Sequence, residues 1–263
     1  MPKFFFNFQV TPFVILFIER DGSTYLTSLL MSHPDIQAVF ERFAVLKQNN
    51  ASASEQLSWA KAYLTPPMIG RRKAIGFKTK LVDVLDLDGF TTLLEQKACR
   101  VIQMRRRNFV KAVVSRINAR RLYEASGKWN LYNEADRMPP AVFEIGEFDR
   151  YIQEREQADG ELSEYVDRLH LPKIKIEYED LLQDRERALG AIFSFLNLRN
   201  VPVQSKTIKH TRDNLREVIL NFDELRGHYA GTSYASMFDE VLVPDQSLSS
   251  GGTGLAQESL TAI

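Results

Sequence analysis

Residues Val14 to Pro34 read VILFIERDGSTYLTSLLMSHP, and this stretch decides the fold. Val14–Ile18 is a short apolar run, β-branched at Val14, Ile15 and Ile18, of a length that suits a buried strand. Glu19–Gly22 breaks it with charge and a glycine. From Ser23 and Thr24 onward, Leu26, Leu29, Leu30 and Met31 fall at helical spacing, and Pro34 disfavours helix at His33. The stretch therefore reads as strand, tight turn, helix. Such a turn aims backbone N–H groups and the positive end of the helix dipole at one point, which makes a seat for phosphate or sulfate.

The nucleotide P-loop places a lysine directly after its second glycine, and that pattern is absent. Here the cation is Arg20, two residues before Gly22, and the hydroxyls of Ser23 and Thr24 follow. This order resembles the 5′-phosphosulfate loop of the PAPS-dependent sulfotransferases, often written PRSGST or PKSGTT in that family, whose next helix often ends in His-Pro, as at His33-Pro34. The chain departs from the family pattern at Glu19, usually Pro, and at Asp21, usually Ser. Arg20, Asp21, Gly22, Ser23, Thr24 and Tyr25 form the expected loop.

The chain has 263 residues, of which 44% are hydrophobic, enough for one α/β domain with a full core. Its formal net charge is zero, so no bulk field favours nucleic acid or a membrane surface. A single cysteine, Cys99, excludes an internal disulfide and a Cys-rich metal site. The Phe-rich start is interrupted by Asn7, Gln9, Thr11 and Pro12, and no small-residue cleavage site follows it. No window reaches the ~20 apolar residues of a membrane span. A soluble, cytoplasmic protein is expected, with the N-terminal segment packed on the sheet.

Further strands are expected at Ile36–Phe40, Ala74–Phe77, Arg100–Met104 and Lys173–Glu177. Helices are expected at Ser52–Leu64 (closed by Pro66-Pro67), within Leu81–Gln96, and at Phe109–Ser126, Phe148–Leu169, Asp180–Leu196 and Arg212–Gly227. Asn108 is a good N-cap for the helix from Phe109. Gly160 weakens the helix in which it falls. Gly127–Gly146 reads as a loop. The alternation predicts an α/β fold: a single domain with a parallel β-sheet flanked by helices, spanning residues 1–244. Residues 127–172 lie where the resembled enzymes often carry acceptor-shaping insertions, and 245–263 has the composition of a disordered tail. Ligands of such sheets bind outside the carboxyl ends of the strands. Arg20, Glu41, Lys78 and Arg107 each follow an expected strand and can meet at that edge.

Arg107 and Ser115, eight residues apart across a strand end and the next helix, resemble the family's 3′-phosphate grip. An arginine fork and a hydroxyl suit phosphate oxygens. Arg105 and Arg106 read as solvated or supporting. Tyr178-Glu179-Asp180-Leu181 resembles a segment whose tyrosine lies near the adenine. Lys209 falls in a late basic stretch that related enzymes lay over the 3′-phosphate.

The resemblance implies a sulfotransferase that moves the sulfuryl group of PAPS to a hydroxyl acceptor and releases 3′,5′-ADP, with no metal. The acceptor is open among sugar, lipid and small molecule, with Trp129, Tyr132, Phe143 and Phe148 as candidate lining. Arg20 and Lys78 would stabilise developing charge. Two positions compete for the base. Cytosolic members use a histidine where this chain has Lys80, while tyrosylprotein-type members use a glutamate in the register of Glu41. The alternatives are a P-loop small-molecule kinase, which needs Mg²⁺ and the missing lysine motif, and a non-catalytic nucleotide-binding module.

Overall fold

The computed structural model describes residues 10–65, 71–129, 131, 133–205 and 212–242. The expected packing of the N-terminal segment, the Pro66-Pro67 stop, Tyr132, Lys209 and the tail lie outside those residues. In chain order the elements are β1 (Thr11–Leu16), α1 (Ser23–Met31), β2 (Ile36–Val39), α2 (Arg42–Gln48), α3 (Ala53–Tyr63), β3 (Ala74–Thr79), α4 (Leu87–Gln96), β4 (Arg100–Arg105) and α5 (Phe109–Ser126). Then come α6 (Ile145–Arg168), β5 (Lys173–Glu177), α7 (Tyr178–Gln183), α8 (Arg185–Phe195), α9 (Phe222–His228) and α10 (Ala235–Asp239).

The five strands form one parallel sheet in the order β2-β3-β1-β4-β5. β1 lies at its centre, between β3 and β4. A parallel sheet covered on both faces needs strands apolar on both sides, and Phe13–Leu16 is fully buried. Phe13 and Ile15 face a core shared with Leu26 and Leu30 of α1 and Ile192 and Phe193 of α8. Val14 and Leu16 face the other core, with Phe77, Phe90 of α4, and Leu162 and Val166 of α6. A third cluster joins α5 and α6 to the C-terminal segment through Val110, Phe148, Phe222 and Phe238.

The expected architecture holds, with local corrections. β1 begins at Thr11 and ends at Leu16, so Phe17 and Ile18 belong to the loop. β3 runs to Thr79, which puts Lys78 inside the strand, opposite Ile15. α6 is continuous through Gly160. The single helix expected over Asp180–Leu196 is two helices, because Asp184 leaves helical geometry (φ −140°) and its carboxylate caps the Arg187 N–H. The helix expected over Arg212–Gly227 is a short 3₁₀ turn at Leu215–Glu217 followed by α9. Between them Leu220 donates to the Ala141 carbonyl and the Asn221 side chain bonds both Phe143 N and Phe143 O. Those contacts use the backbone that a helix would need. Two short helices, α2 and α10, had no expectation.

Candidate active site

Five segments meet at the carboxyl edge of the sheet: the β1–α1 loop, Glu41 after β2, Lys78 in β3, the β4–α5 turn, and the start of α7. Gly22 is the N-cap of α1, at φ 81°. A Cβ there would collide with the Tyr178 ring, so both conformation and space require glycine. Gly22 has no side chain to cap α1, which leaves the first-turn N–H groups facing outward.

Lys78 crosses from β3 to this helix start. Its ammonium donates to Ser23 Oγ at 3.2 Å and Thr24 Oγ1 at 2.8 Å, and pairs with Glu41 Oε1 at 2.9 Å. Three donors thus meet three acceptors. The Lys78 side chain is 1% exposed, and its ammonium lies 4.8 Å from the Phe17 ring centroid. Burial pulls the Lys78 pKa down, and Glu41 only partly restores it. Glu41 is a third exposed and also reaches Lys80, at 3.6 Å. Burial pushes its pKa up, but Lys78 and Lys80 outweigh that and hold the carboxyl below its ordinary value. Lys80 shifts the other way. Asp83 and Glu41 overcome burial and raise its pKa, so it stays protonated.

Arg20 adopts φ 69°, a left-handed conformation unusual for a residue with a Cβ. Its Nε donates to Ser115 Oγ at 2.9 Å, and its two terminal amino groups have no partner among the described residues. Burial lowers its pKa to about 10, which leaves it a cation at neutral pH. Arg106 is buried, donates to the Arg20 carbonyl at 3.2 Å, and lies over the Tyr178 ring at 4.9 Å. It supports the loop and is not solvated. Arg105 pairs with Asp159 and Glu177.

The two departures from the family pattern are both neutralised. Glu19 pairs with Arg116 at 2.7 Å. Asp21 is fully buried, accepts the Ile18 N–H at 3.0 Å, and pairs with Arg155 of α6. Burial pushes the Asp21 carboxyl up to about 6, with Arg155 pulling against it. Neither carboxylate is left as a bare charge beside the loop.

Arg107 and Ser115 have separate partners. Arg107 pairs with Asp180 at 2.9 Å in an exposed position, while buried Ser115 accepts from Arg20. The Arg107 and Asn108 N–H groups both donate to Glu179, at 3.0 and 3.2 Å. Tyr178 packs on the loop, against Gly22 and Arg106.

A cavity of about 340 Å³ opens beside the loop, lined by Phe17, Ile18 and Lys80 on one side and by α5 and α6 on the other. Of the aromatic lining expected from the sequence, the described residues Trp129, Phe143 and Phe148 are elsewhere. Phe143 and Phe148 are core residues, and Trp129 stacks on Tyr123 at 4.3 Å on the surface. α6 does form a wall, through Tyr151, Arg155, Ala158 and Leu162. Arg106, Arg116, Arg155 and Glu179 were not singled out as site residues. For Arg106 the run of three arginines was a signal, whereas Arg155 sits unmarked in a charged helix.

Among the described residues, no group of three or more His, Cys, Asp or Glu side chains could hold a metal ion, and no helix is long and apolar enough to cross a membrane. The fold is shared with a solved sulfotransferase. The crystal structure of a sulfotransferase from Alicyclobacillus acidocaldarius superposes with a TM-score of 0.51 at 14% identity, covering 87% of this chain and 94% of that one. In sequence, the chain is 27% identical over 241 residues to Nodulation protein H of Rhizobium tropici, covering 87% of this chain and 93% of the relative. It is 24% identical over 241 residues to Nodulation protein H of Rhizobium meliloti, with 87% and 95% covered. No protein-family profile matches.

Proposed function

We propose that the protein is a PAPS-dependent sulfotransferase acting on a hydroxyl acceptor. The observation that carries this reading is the convergence at Lys78. One buried ammonium touches both hydroxyls at an uncapped helix N-terminus and, on its other side, the carboxylate of Glu41. A donor-side cation and a base beside one anion seat are what sulfuryl transfer requires.

Glu41 takes the proton of the acceptor hydroxyl as its oxygen attacks sulfur. The bond from sulfur to the bridging phosphate oxygen breaks in line, and 3′,5′-ADP leaves with the negative charge. Lys78, Arg20, the Ser23 and Thr24 hydroxyls and the N–H groups of Gly22 to Tyr25 stabilise that charge. In the resting protein Lys78 restrains Glu41 as a base. When the phosphosulfate draws the ammonium toward itself, the carboxylate regains basicity. Lys80 is the poorer base, since its neighbours favour the protonated form. Arg107 reaches the 3′-phosphate after leaving Asp180, an exposed pair worth at most about 1 kcal/mol. Ser115 joins it there, and Tyr178 holds the loop under the nucleotide. The cavity beside Lys80 receives the acceptor, so the 127–172 segment shapes that side through α6.

The test is turnover of sulfur-labelled PAPS against a panel of sugar, lipid and phenolic hydroxyls, with EDTA present. Labelled product and 3′,5′-ADP are expected. Transfer from ATP that appears only with Mg²⁺ would replace this reading with a kinase. Tight 3′,5′-ADP binding without turnover on any acceptor would leave a binding module.

A further inference from the structure

We propose that Arg155 is a positioning residue, holding the phosphosulfate loop in its anion-binding shape from the wall of the acceptor cavity. This rests on the sulfotransferase reading of the loop.

Arg155 comes from the middle of α6, and its side chain is 4% exposed. One terminal nitrogen donates to the Glu19 carbonyl at 3.2 Å, and the other pairs with the Asp21 carboxylate. The second oxygen of that carboxylate accepts the Ile18 N–H at 3.0 Å. The guanidinium lies 5.2 Å from the centroid of the Phe109 ring, at the start of α5. The residues on both sides of Arg20 are thus fixed by one side chain, while Arg106 holds the Arg20 carbonyl between them. Arg20 needs this support, because its positive φ is unfavourable for any residue with a Cβ. Released from its neighbours, residue 20 would relax toward ordinary backbone and turn its guanidinium away from the anion seat. The same Arg155 lines the cavity of about 340 Å³. The donor loop and the acceptor wall therefore share a part.

Sign separates this role from simple proximity. A carboxylate that merely sits near an anion weakens binding, so Asp21→Asn would tighten 3′,5′-ADP. If Asp21 exists to be gripped by Arg155, Asp21→Asn must weaken it. The experiment measures 3′,5′-ADP affinity by calorimetry, KM for PAPS, kcat and Tm for wild type, Asp21→Asn, Arg155→Met and Arg155→Lys. Val166→Ala, a core change in the same helix, serves as the stability control. Asp21→Asn and Arg155→Met should each raise Kd and KM for PAPS about ten-fold or more. The Asp21→Asn/Arg155→Met double variant should be no worse than Arg155→Met alone, because Arg155→Met already removes the link that Asp21→Asn breaks. Arg155→Lys should fall between wild type and Arg155→Met, since an ammonium can meet Asp21 but lacks the fork for the Glu19 carbonyl. Val166→Ala should lower Tm and leave KM for PAPS unchanged.

Should Arg155→Met not fold, Asp21→Asn and Arg155→Lys decide alone. The proposal is overturned if both keep Kd and KM within two-fold of wild type, if Asp21→Asn binds more tightly, or if Val166→Ala reproduces their kinetic change. Wild-type protein that fails to bind 3′,5′-ADP overturns the functional reading beneath it instead.

Discussion

Replacing Glu41 by Gln tests the chemistry most directly, because the amide keeps the shape of the carboxylate and removes its basicity. Loss of one positioned acid–base group costs about 10²–10⁴ in rate. At 1.36 kcal/mol per tenfold this is about 2.7–5.4 kcal/mol of barrier. The ground-state effect should be much smaller. Glu41 is a third exposed, and its contacts to Lys78 at 2.9 Å and Lys80 at 3.6 Å are partly screened. Removing them frees Lys78 for the incoming anion, so 3′,5′-ADP affinity should stay within about five-fold, equivalent to roughly 1 kcal/mol. The assay pairs single-turnover transfer from labelled PAPS with calorimetry of 3′,5′-ADP. A pH series adds an independent check. Glu41 has a folded-state pKa below its ordinary value, so its stabilising contribution is present above the unfolded pKa and lost as pH falls through the folded one. The Tm deficit of Glu41→Gln should therefore be largest near pH 7 and shrink as pH falls through the lowered folded-state pKa of the wild-type carboxyl. A Glu41→Gln protein with near-normal kcat, alongside an inactive Lys80→Ala, would refute the assignment. A Tm deficit independent of pH would refute the electrostatics.

The protein should prefer 3′,5′-ADP to 5′-AMP by about ten- to a hundred-fold, as one charge-assisted contact is worth roughly 1.5–3 kcal/mol. Arg107→Ala should erase most of that preference, and equal calorimetric affinity of wild type for the two nucleotides would exclude the 3′-phosphate role. Gly22→Ala places a methyl group into the Tyr178 ring at a positive φ. It should cost at least the ~1–2 kcal/mol of the left-handed backbone and abolish measurable 3′,5′-ADP binding, whereas a variant with unchanged Tm and affinity would mean that the loop does not need this geometry.

The electrostatics of the site differ from those of the chain as a whole. A net charge of zero coexists with a concentration of Arg20, Lys78, Lys80, Arg106 and Arg107 around one sheet edge. Of these, Lys78 and Lys80 are matched in the resting protein by Glu41 and Arg107 by Asp180, while Arg155 of α6 adds a further cation matched by Asp21. An incoming anion would compete with carboxylates already in contact with these cations. The weak, exposed Arg107–Asp180 pair is the easiest to exchange. The buried Arg155–Asp21 pair is the hardest, which suits a structural link in the loop.

What the amino-acid order determined unaided was local. The apolar run before Glu19, the 3.6-residue period after Thr24, the cap at Asn108 and the stop at Pro34 act over one or two turns of chain. They placed the loop, the helix Phe109–Ser126 to the residue, and a parallel sheet. Local signals failed where tertiary contacts compete for the same backbone. The Asn221 clamp on Phe143 ended a helix that periodicity favoured, and the hydrogen bonds of Asp184 split another. They also carried no information about partners distant in sequence. Asp21 next to an anion loop reads as a liability in one dimension. Only the fold brings Arg155 to it, from 134 residues away, and turns the charge inward. Likewise, only the pairing of β3 beside β1 sets Lys78 opposite Ile15 and within reach of Ser23, Thr24 and Glu41. Spacing along the chain can nominate such residues, but packing of the sheet and helices decides which charges meet.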